Sequence, residues 1–388
     1  MMIRIGRIFA MVITILLISI YISGCRINDN ANADKWLESA DLSGDDDENE
    51  LYENALKEDI LIVYTVSTRA TQVKESFEKE YPGLHVEIRD LRSPELIKAV
   101  AESVDTEKYD ADVVICNDNS GTFKSELLDK GKVYPYIPND IKENMKDGHV
   151  TDMITFLDEA ELMFYNGTKY EKSPISNVWE LTEEKYKGKI IMPSPLRSFS
   201  TYALCAAILD SSDVLEEAYK EYAGSELEIP VDNKASEYFM SLLFDNAVFS
   251  NSSDEVVEAL GADETEYDFG IMVSSKLRFN EIGYNLKPQY DLEPFSGAKI
   301  SYAVMIAKGS KNVNTAKLFI RYMLGGSDGQ GEGYKPFQTI GTWSARKDLN
   351  DGNPVALEDI RLLTPDQDYI IENRDYIDGF LSNLLEKH

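Results

Sequence analysis

The chain reads as an α/β protein built from two units of mostly parallel sheet flanked by helices, and three observations carry that reading. Short β-branched apolar runs alternate with amphipathic helical stretches, the turns after those runs are rich in Ser, Thr, Asn and Asp, and 388 residues suffice for two cores. Hydrophobic content of 43% and aromatic content of 10% belong to a globular chain. Thirty-nine Lys and Arg against 69 Asp and Glu give a net charge of -30, a field that repels polyanions and excludes nucleic acid as a partner. Three cysteines cannot build a disulfide framework, and three histidines leave little material for a nitrogen-ligand metal site.

Residues 1–24 are an address. Arg4 and Arg7 precede an apolar run from Ile8 to Ile22, shorter than the roughly 20 residues that span a bilayer, and the segment closes on Ile22-Ser23-Gly24-Cys25. That quartet resembles the bacterial lipobox, which implies cleavage before Cys25 and a lipid on its thiol; an uncleaved short membrane anchor is the alternative. Either way the remainder lies outside the cytoplasmic membrane. Residues 25–57 read as an acidic tether culminating in Asp45-Asp46-Asp47-Glu48-Asn49-Glu50, without the ligand spacing and turn glycine of a calcium loop.

The folded part opens with a strand at Asp59-Ile60-Leu61-Ile62-Val63-Tyr64. Val73, Phe77 and Tyr81 then recur at helical spacing until Tyr81-Pro82-Gly83 stops the helix. Leu84 to Ile88 alternates as a second strand, Ser93-Pro94 opens a second helix, and Asp112 to Ile115 is a third strand. In open α/β sheets ligands gather outside the carboxyl ends of strands, which singles out Ser67, Thr68 and Arg69 after the first strand and Asn117, Asn119 and Ser120 after the third. Ordinary turns and helix caps use the same residue types, so both readings stand.

A second unit follows Tyr165-Asn166-Gly167-Thr168. The strand ending at Met192-Pro193 runs into Ser194 to Thr201, and Tyr202 to Leu209 reads as a buried helix. Its N-terminus offers unpaired N–H groups and a positive dipole end beside Ser198, Ser200 and Thr201, suited to an anion. Arg197 adds a forked charged clamp, or else is a surface arginine beside a capped helix. Helices are expected over 233–244 and 252–260, a strand over Tyr267 to Val273 ending in Ser274-Ser275, another over Ile300 to Ala307, and a helix over Thr315 to Leu324. Cys116 and Cys205 read as buried free thiols.

From about Asp59 to Leu349 the order of parts resembles the extracellular solute-binding proteins of ABC importers, in the type 2 periplasmic-binding-protein fold. The branch with ferric-iron, sugar-phosphate and phosphonate binders is the nearest. The matching residues are Phe77 to Gly83, Ala111-Asp112-Val113-Val114, Phe164-Tyr165-Asn166, Trp179-Glu180-Leu181, Tyr186 to Ile190 with Met192-Pro193, Ser198 to Thr201, Ser327-Asp328-Gly329-Gln330 and Ser344 to Asp348. The resemblance implies two lobes, one at about 58–163 plus 298–388 and one at about 164–297, closing over a solute and delivering it to a membrane permease. It implies a lipid-anchored monomer with no cofactor, and a cleft that adds Ser274, Ser275 and Tyr302 to the loops above, with Trp343 as a further wall. Iron binders of that branch hold the metal with adjacent tyrosines where this chain has Ser274-Ser275, which favours an oxygen-rich, anionic small molecule, phosphorylated or carboxylated, over ferric ion or an iron chelate. The rival classes are an envelope-anchored enzyme, for which no Gly-x-Ser-x-Gly, His-Glu-x-x-His or Walker glycine loop is present, and a sensor that presents solute to a receptor.

Overall fold

The computed structural model describes residues 35–230 and 233–387. The leader, its lipobox and Cys25 lie outside the described residues. The first lobe begins with helix α1 (Glu48–Ala55), then strand β1 (Leu61–Thr65), helix α2 (Ala70–Glu80), strand β2 (Val86–Asp90), helix α3 (Ser93–Asp105), strand β3 (Val113–Asn117) and the short β4 (Val133–Tyr134). Strand β5 (Thr155–Asn166) leaves it. The second lobe adds β6 (Ile190–Pro193), α4 (Phe199–Asp210), α5 (Ser212–Ala223), α6 (Ala235–Asn246), β7 (Ala247–Ser250), α7 (Ser253–Leu260), β8 (Phe269–Val273) and β9 (Leu286–Pro288). Strand β10 (Gly297–Ala307) returns to the first lobe and to α8 (Val313–Met323); β11 (Trp343–Ser344), β12 (Leu362–Leu363), α9 (Gln367–Glu372) and α10 (Arg374–Leu385) close the chain.

One continuous sheet runs in the order β2-β1-β3-β10-β5-β8-β6-β7. β1 pairs parallel with β2 and β3, and β6 pairs parallel with β7 and β8. The side-chain period of two explains the layers. Leu61 and Val63 of β1, with Val113 and Ile115 of β3, enter one apolar layer, while Tyr64, Val114 and Cys116 enter the layer on the opposite face. In the second lobe Ile190 and Met192 face one core and Ile191 the other. Each such side chain contributes about 1.5–3 kcal/mol when fully buried.

The antiparallel pair β5 and β10 joins the lobes, because each strand changes core midway. Phe156 and Leu157 of β5 belong to the first lobe's core, whereas Leu162 and Phe164 belong to the second's. Likewise Ala298 of β10 packs in the second lobe and Val304 and Ile306 in the first. The strands cross so closely that a Cβ on Gly297 would stand 1.9 Å from the Glu161 carbonyl oxygen. Only glycine fits there.

Two segments depart from the expected layout. Part of the acidic stretch is docked rather than extended: Lys317 Nζ on α8 donates to the Asp41 carbonyl at 2.6 Å and to Asp46 at 2.8 Å, and Arg321 bridges Glu48 at 2.9 Å and Asp140 at 2.6 Å. Glu58 accepts from the N–H groups of Asn314 and Thr315 at the start of α8, capping a helix from which sequence separates it by more than 250 residues. The expected tether is therefore corrected for residues 35–57, where basic groups on α8 neutralise the carboxylates whose mutual repulsion was to keep it extended. The C-terminal helices, expected with the first lobe, instead bury Ile370, Ile377, Leu381 and Leu384 in the second lobe's core. From there Arg374 reaches back to the Ser120 carbonyl at 2.5 Å, and Lys124 pairs with Asp368 at 3.2 Å, so the tail straps both lobes. Gly121 (φ +67°) permits this approach, since a Cβ there would lie 2.6 Å from Ile371.

Candidate functional site

The carboxyl ends of the parallel strands of both lobes face a cleft of about 1090 Å³. On the first lobe, Thr65 Oγ1 ends β1 by accepting from the Ser67 N–H at 2.9 Å. After β3, Asp118 turns inward and accepts from the N–H groups of Phe123 (3.1 Å) and Lys124 (2.8 Å), which fixes the turn that presents Asn117 and Asn119. Burial holds the Asp118 carboxyl above its ordinary value despite those bonds. On the second lobe, Ser198 caps α4 by accepting from the Thr201 N–H at 3.4 Å, and Arg197 Nη1 donates to Asn251 at 2.8 Å. Arg197 thus stands pre-oriented at the mouth, beside the positive end of a twelve-residue helix.

Of the residues nominated from sequence, Asn117, Asn119, Arg197, Ser200 and Tyr302 line this cleft together. The other nominated side chains are placed elsewhere, for identifiable reasons. In the first-strand loop it is Val66 that lines the cleft. Ser67 bonds through its backbone to Thr65, Thr68 is exposed to solvent, and Arg69 turns to Glu159 of β5 at 3.1 Å. Ser120 is buried against Thr122 (2.9 Å), and Ser198 and Thr201 stand one layer behind Ser200. Ser274 is fully buried; its hydroxyl donates to the Gly341 carbonyl at 2.5 Å and accepts from the Ala160 N–H at 3.0 Å. Ser275 is also buried, and its carbonyl accepts from Arg278 at 2.9 Å. Trp343 packs in the second lobe's core, with its indole N–H on the Val355 carbonyl.

The crossing strands supply a layer of charge beneath the cleft that sequence reasoning missed. Glu159 accepts from Arg69 and, at 3.3 Å, from the Tyr302 hydroxyl; burial and the Glu159 charge raise the Tyr302 phenol well above its ordinary value. Asp158 faces the other way, toward Lys299 (3.2 Å), Ser301 (2.5 Å) and the buried His149 (3.3 Å), whose imidazole burial holds below its ordinary value. Half-buried Arg278 carries no ion pair among the described residues, and burial together with nearby Arg69 depresses its pKa. The turn Arg92-Ser93-Pro94 after β2 lines the cleft too, with Ser93 Oγ donating to Asn117 at 3.3 Å. The rule that singled out the ends of β1 and β3 applies equally to β2 and finds it.

Cys116 and Cys205 are free and buried; burial pushes the Cys116 thiol up to about 12 and Cys205 further, so neither is a nucleophile. Among the described residues no group of three or more His, Cys, Asp or Glu is placed to hold a metal, and no helix is long and apolar enough to cross a membrane.

Two lobes joined by crossing strands, with strand ends and helix N-termini converging on one cleft, define a periplasmic-binding-protein architecture. Residues 72–360 match the family described as bacterial extracellular solute-binding protein, and the chain belongs to that family. Its members are not enzymes but binders that take up small solutes outside the cytoplasm and deliver them to an ABC importer. Among solved structures, iron-bound HitA from Pseudomonas aeruginosa superposes with a TM-score of 0.63 at 14% identity, over 84% of this chain and 99% of that one. The ferric binding protein from Campylobacter jejuni gives 0.62 at 16% identity, over 84% and 99%. AfuA from Actinobacillus pleuropneumoniae, with fructose-6-phosphate bound, gives 0.61 at 18% identity, over 84% and 98%. No curated protein is recognisably similar in sequence. At these identities the likeness shows the fold alone.

Proposed function

We propose that the protein captures a small, oxygen-rich anionic solute, a phosphorylated or carboxylated metabolite, between its lobes and hands it to an ABC permease. The observation that carries this reading is the pairing of Arg197 and the hydroxyl-rich N-terminus of α4 on one wall with Asn117 and Asn119 on the other. A guanidinium, a helix end and amide donors suit carboxylate or phosphate oxygens, and the neutral donors on the opposite wall suit hydroxyl or carbonyl groups. Contacts from both walls favour the closed arrangement of the lobes. The net charge of -30 opposes an anion only weakly, because salt screens beyond about 8 Å whereas these donors are in contact.

A lipid on Cys25 holds the body at the membrane. Mass spectrometry of solute released from purified protein tests the reading, followed by thermal-shift titration with that compound. An anion that raises Tm progressively as its concentration rises above its Kd is the expected result. Release of neutral compounds alone, or chemical conversion of the bound molecule, contradicts it.

A further inference from the structure

Directly behind the α4 N-terminus stands a carboxyl group that solute capture has not yet accounted for. Glu161 of β5 is fully buried; its Oε1 accepts from Thr201 Oγ1 at 2.7 Å, and its Oε2 has no hydrogen-bond partner. Thr201 Oγ1 lies 3.0 Å from Ser198 Oγ, which lies 3.0 Å from Ser200 Oγ in the cleft wall. A chain of three hydroxyls therefore connects a buried acid to the surface offered to the solute.

Each hydroxyl has one hydrogen, so the chain has a direction. When Glu161 is ionised it only accepts, Thr201 donates inward, Ser198 donates to Thr201 and Ser200 to Ser198; Ser200 then turns lone pairs toward the cleft. When Glu161 carries a proton it donates to Thr201, every bond reverses, and Ser200 points its O–H at the solute. An anion binds the second arrangement and is repelled by the first, and the same proton removes the negative charge competing for the positive helix end.

We propose that Glu161 is a positioning residue that takes up one proton as an anionic solute seats on Ser200 and α4, so that capture is proton-coupled. The inference rests on the anionic reading of the cleft. The surroundings agree with it. Burial raises the Glu161 carboxyl to about 7, against the opposing pull of the Thr201 hydroxyl in contact with it and of the Ser200 hydroxyl, which stands near enough to turn toward the carboxylate directly as well as through the chain. Of the charged and titratable groups around it, Glu159 on its own strand raises it further, and Lys276 after β8, itself paired with Asp254 at 2.7 Å, draws it down. Cys205 on α4 stays a neutral thiol, and Lys299 on β10 pairs with Asp158 on the opposite face of the sheet.

The test is calorimetric titration of the whole protein with sulfate and with gluconate, whose charges are constant between about pH 5.5 and about pH 8.5, in buffers of different ionisation enthalpy. Wild type is expected to take up protons on binding and to lose about tenfold in affinity across that range, the worth of one charge-assisted hydrogen bond. Glu161→Gln, whose amide donates to Thr201 at every pH, is expected to bind without proton uptake or pH dependence. Thr201→Val, which breaks the chain of hydroxyls but leaves the Glu161 charge, is expected to flatten the pH dependence in part, and Thr201→Ser to restore the wild-type profile. A flat wild-type profile, or a slope unchanged in Glu161→Gln, overturns the coupling while leaving anion capture intact. Failure of both anions to bind at about pH 5.5, where Glu161 carries its proton, overturns the anionic reading itself and the coupling with it.

Discussion

The chain places carboxylates in two contrasting settings. Asp46 and Glu48, from the acidic run, meet Lys317 and Arg321, cations held on the rigid face of α8. Glu159 and Glu161, on the crossing strand, share a floor where, among the described residues, Glu159 has a cation in contact and Glu161 has none. Arg321 holds Asp140 below the ordinary carboxylate range, whereas burial lifts Glu161 to about 7. Whether an acid fastens the fold or stays poised to change charge depends on how deeply it is buried and on whether the chain brings a base to it. Fastening falls at the N-terminal docking face and poise falls beneath the cleft, so the division follows function.

Removing the base from the first setting breaks the contrast most. Lys317→Met removes the buried cation of this pair and leaves part-buried Asp46 with the Tyr136 hydroxyl, and a loss of about 3 kcal/mol in urea unfolding is expected, with residues 35–55 becoming sensitive to limited proteolysis. In the second setting the effect runs the other way. Because the folded pKa of Glu161 exceeds its ordinary 4.5, its contribution is full below that value and is lost as pH rises through about 7. Glu161→Gln is accordingly expected to gain about 3 kcal/mol over wild type at about pH 8 and nothing at about pH 4. Asp140 gives the opposite sign: its depressed pKa contributes stability above 3.8 that is lost as pH falls through the folded value, and Arg321→Met is expected to abolish that acid-limb slope. The smallest change is expected for Lys335→Ala, which removes an exposed pair with Glu332 and shifts stability by less than about 0.5 kcal/mol.

The same contrast explains what was legible in the sequence. Strands β1, β3, β6 and β8 announce themselves because alternate residues enter opposite apolar layers, and α2 because Val73 and Phe77 fall on one face. Strand β5 was hidden, since Asp158, Glu159 and Glu161 read locally as surface; the partners that make them interior, Arg69 and Thr201, lie 90 and 40 residues away. The acidic run reads as a tether because the bases that dock it are 271 and 273 residues distant. Strand-end loops were legible as candidate walls, but which hydroxyl faces the cleft depends on helix phase: Ser200 reaches it, while Ser198 is spent on the cap and Thr201 on Glu161.

Arg197 is the most exposed of the proposed solute contacts and the easiest to change without disturbing the fold, since its side chain's one hydrogen bond among the described residues is to the surface residue Asn251. Calorimetric titration of the solute released from the native protein, comparing wild type with Arg197→Ala and Arg197→Lys, therefore bears most directly on capture of an anion between the lobes. Loss of about a hundredfold in affinity for Arg197→Ala, partly recovered in Arg197→Lys, is expected. Equal affinity in all three would place the solute away from the α4 end and contradict the account.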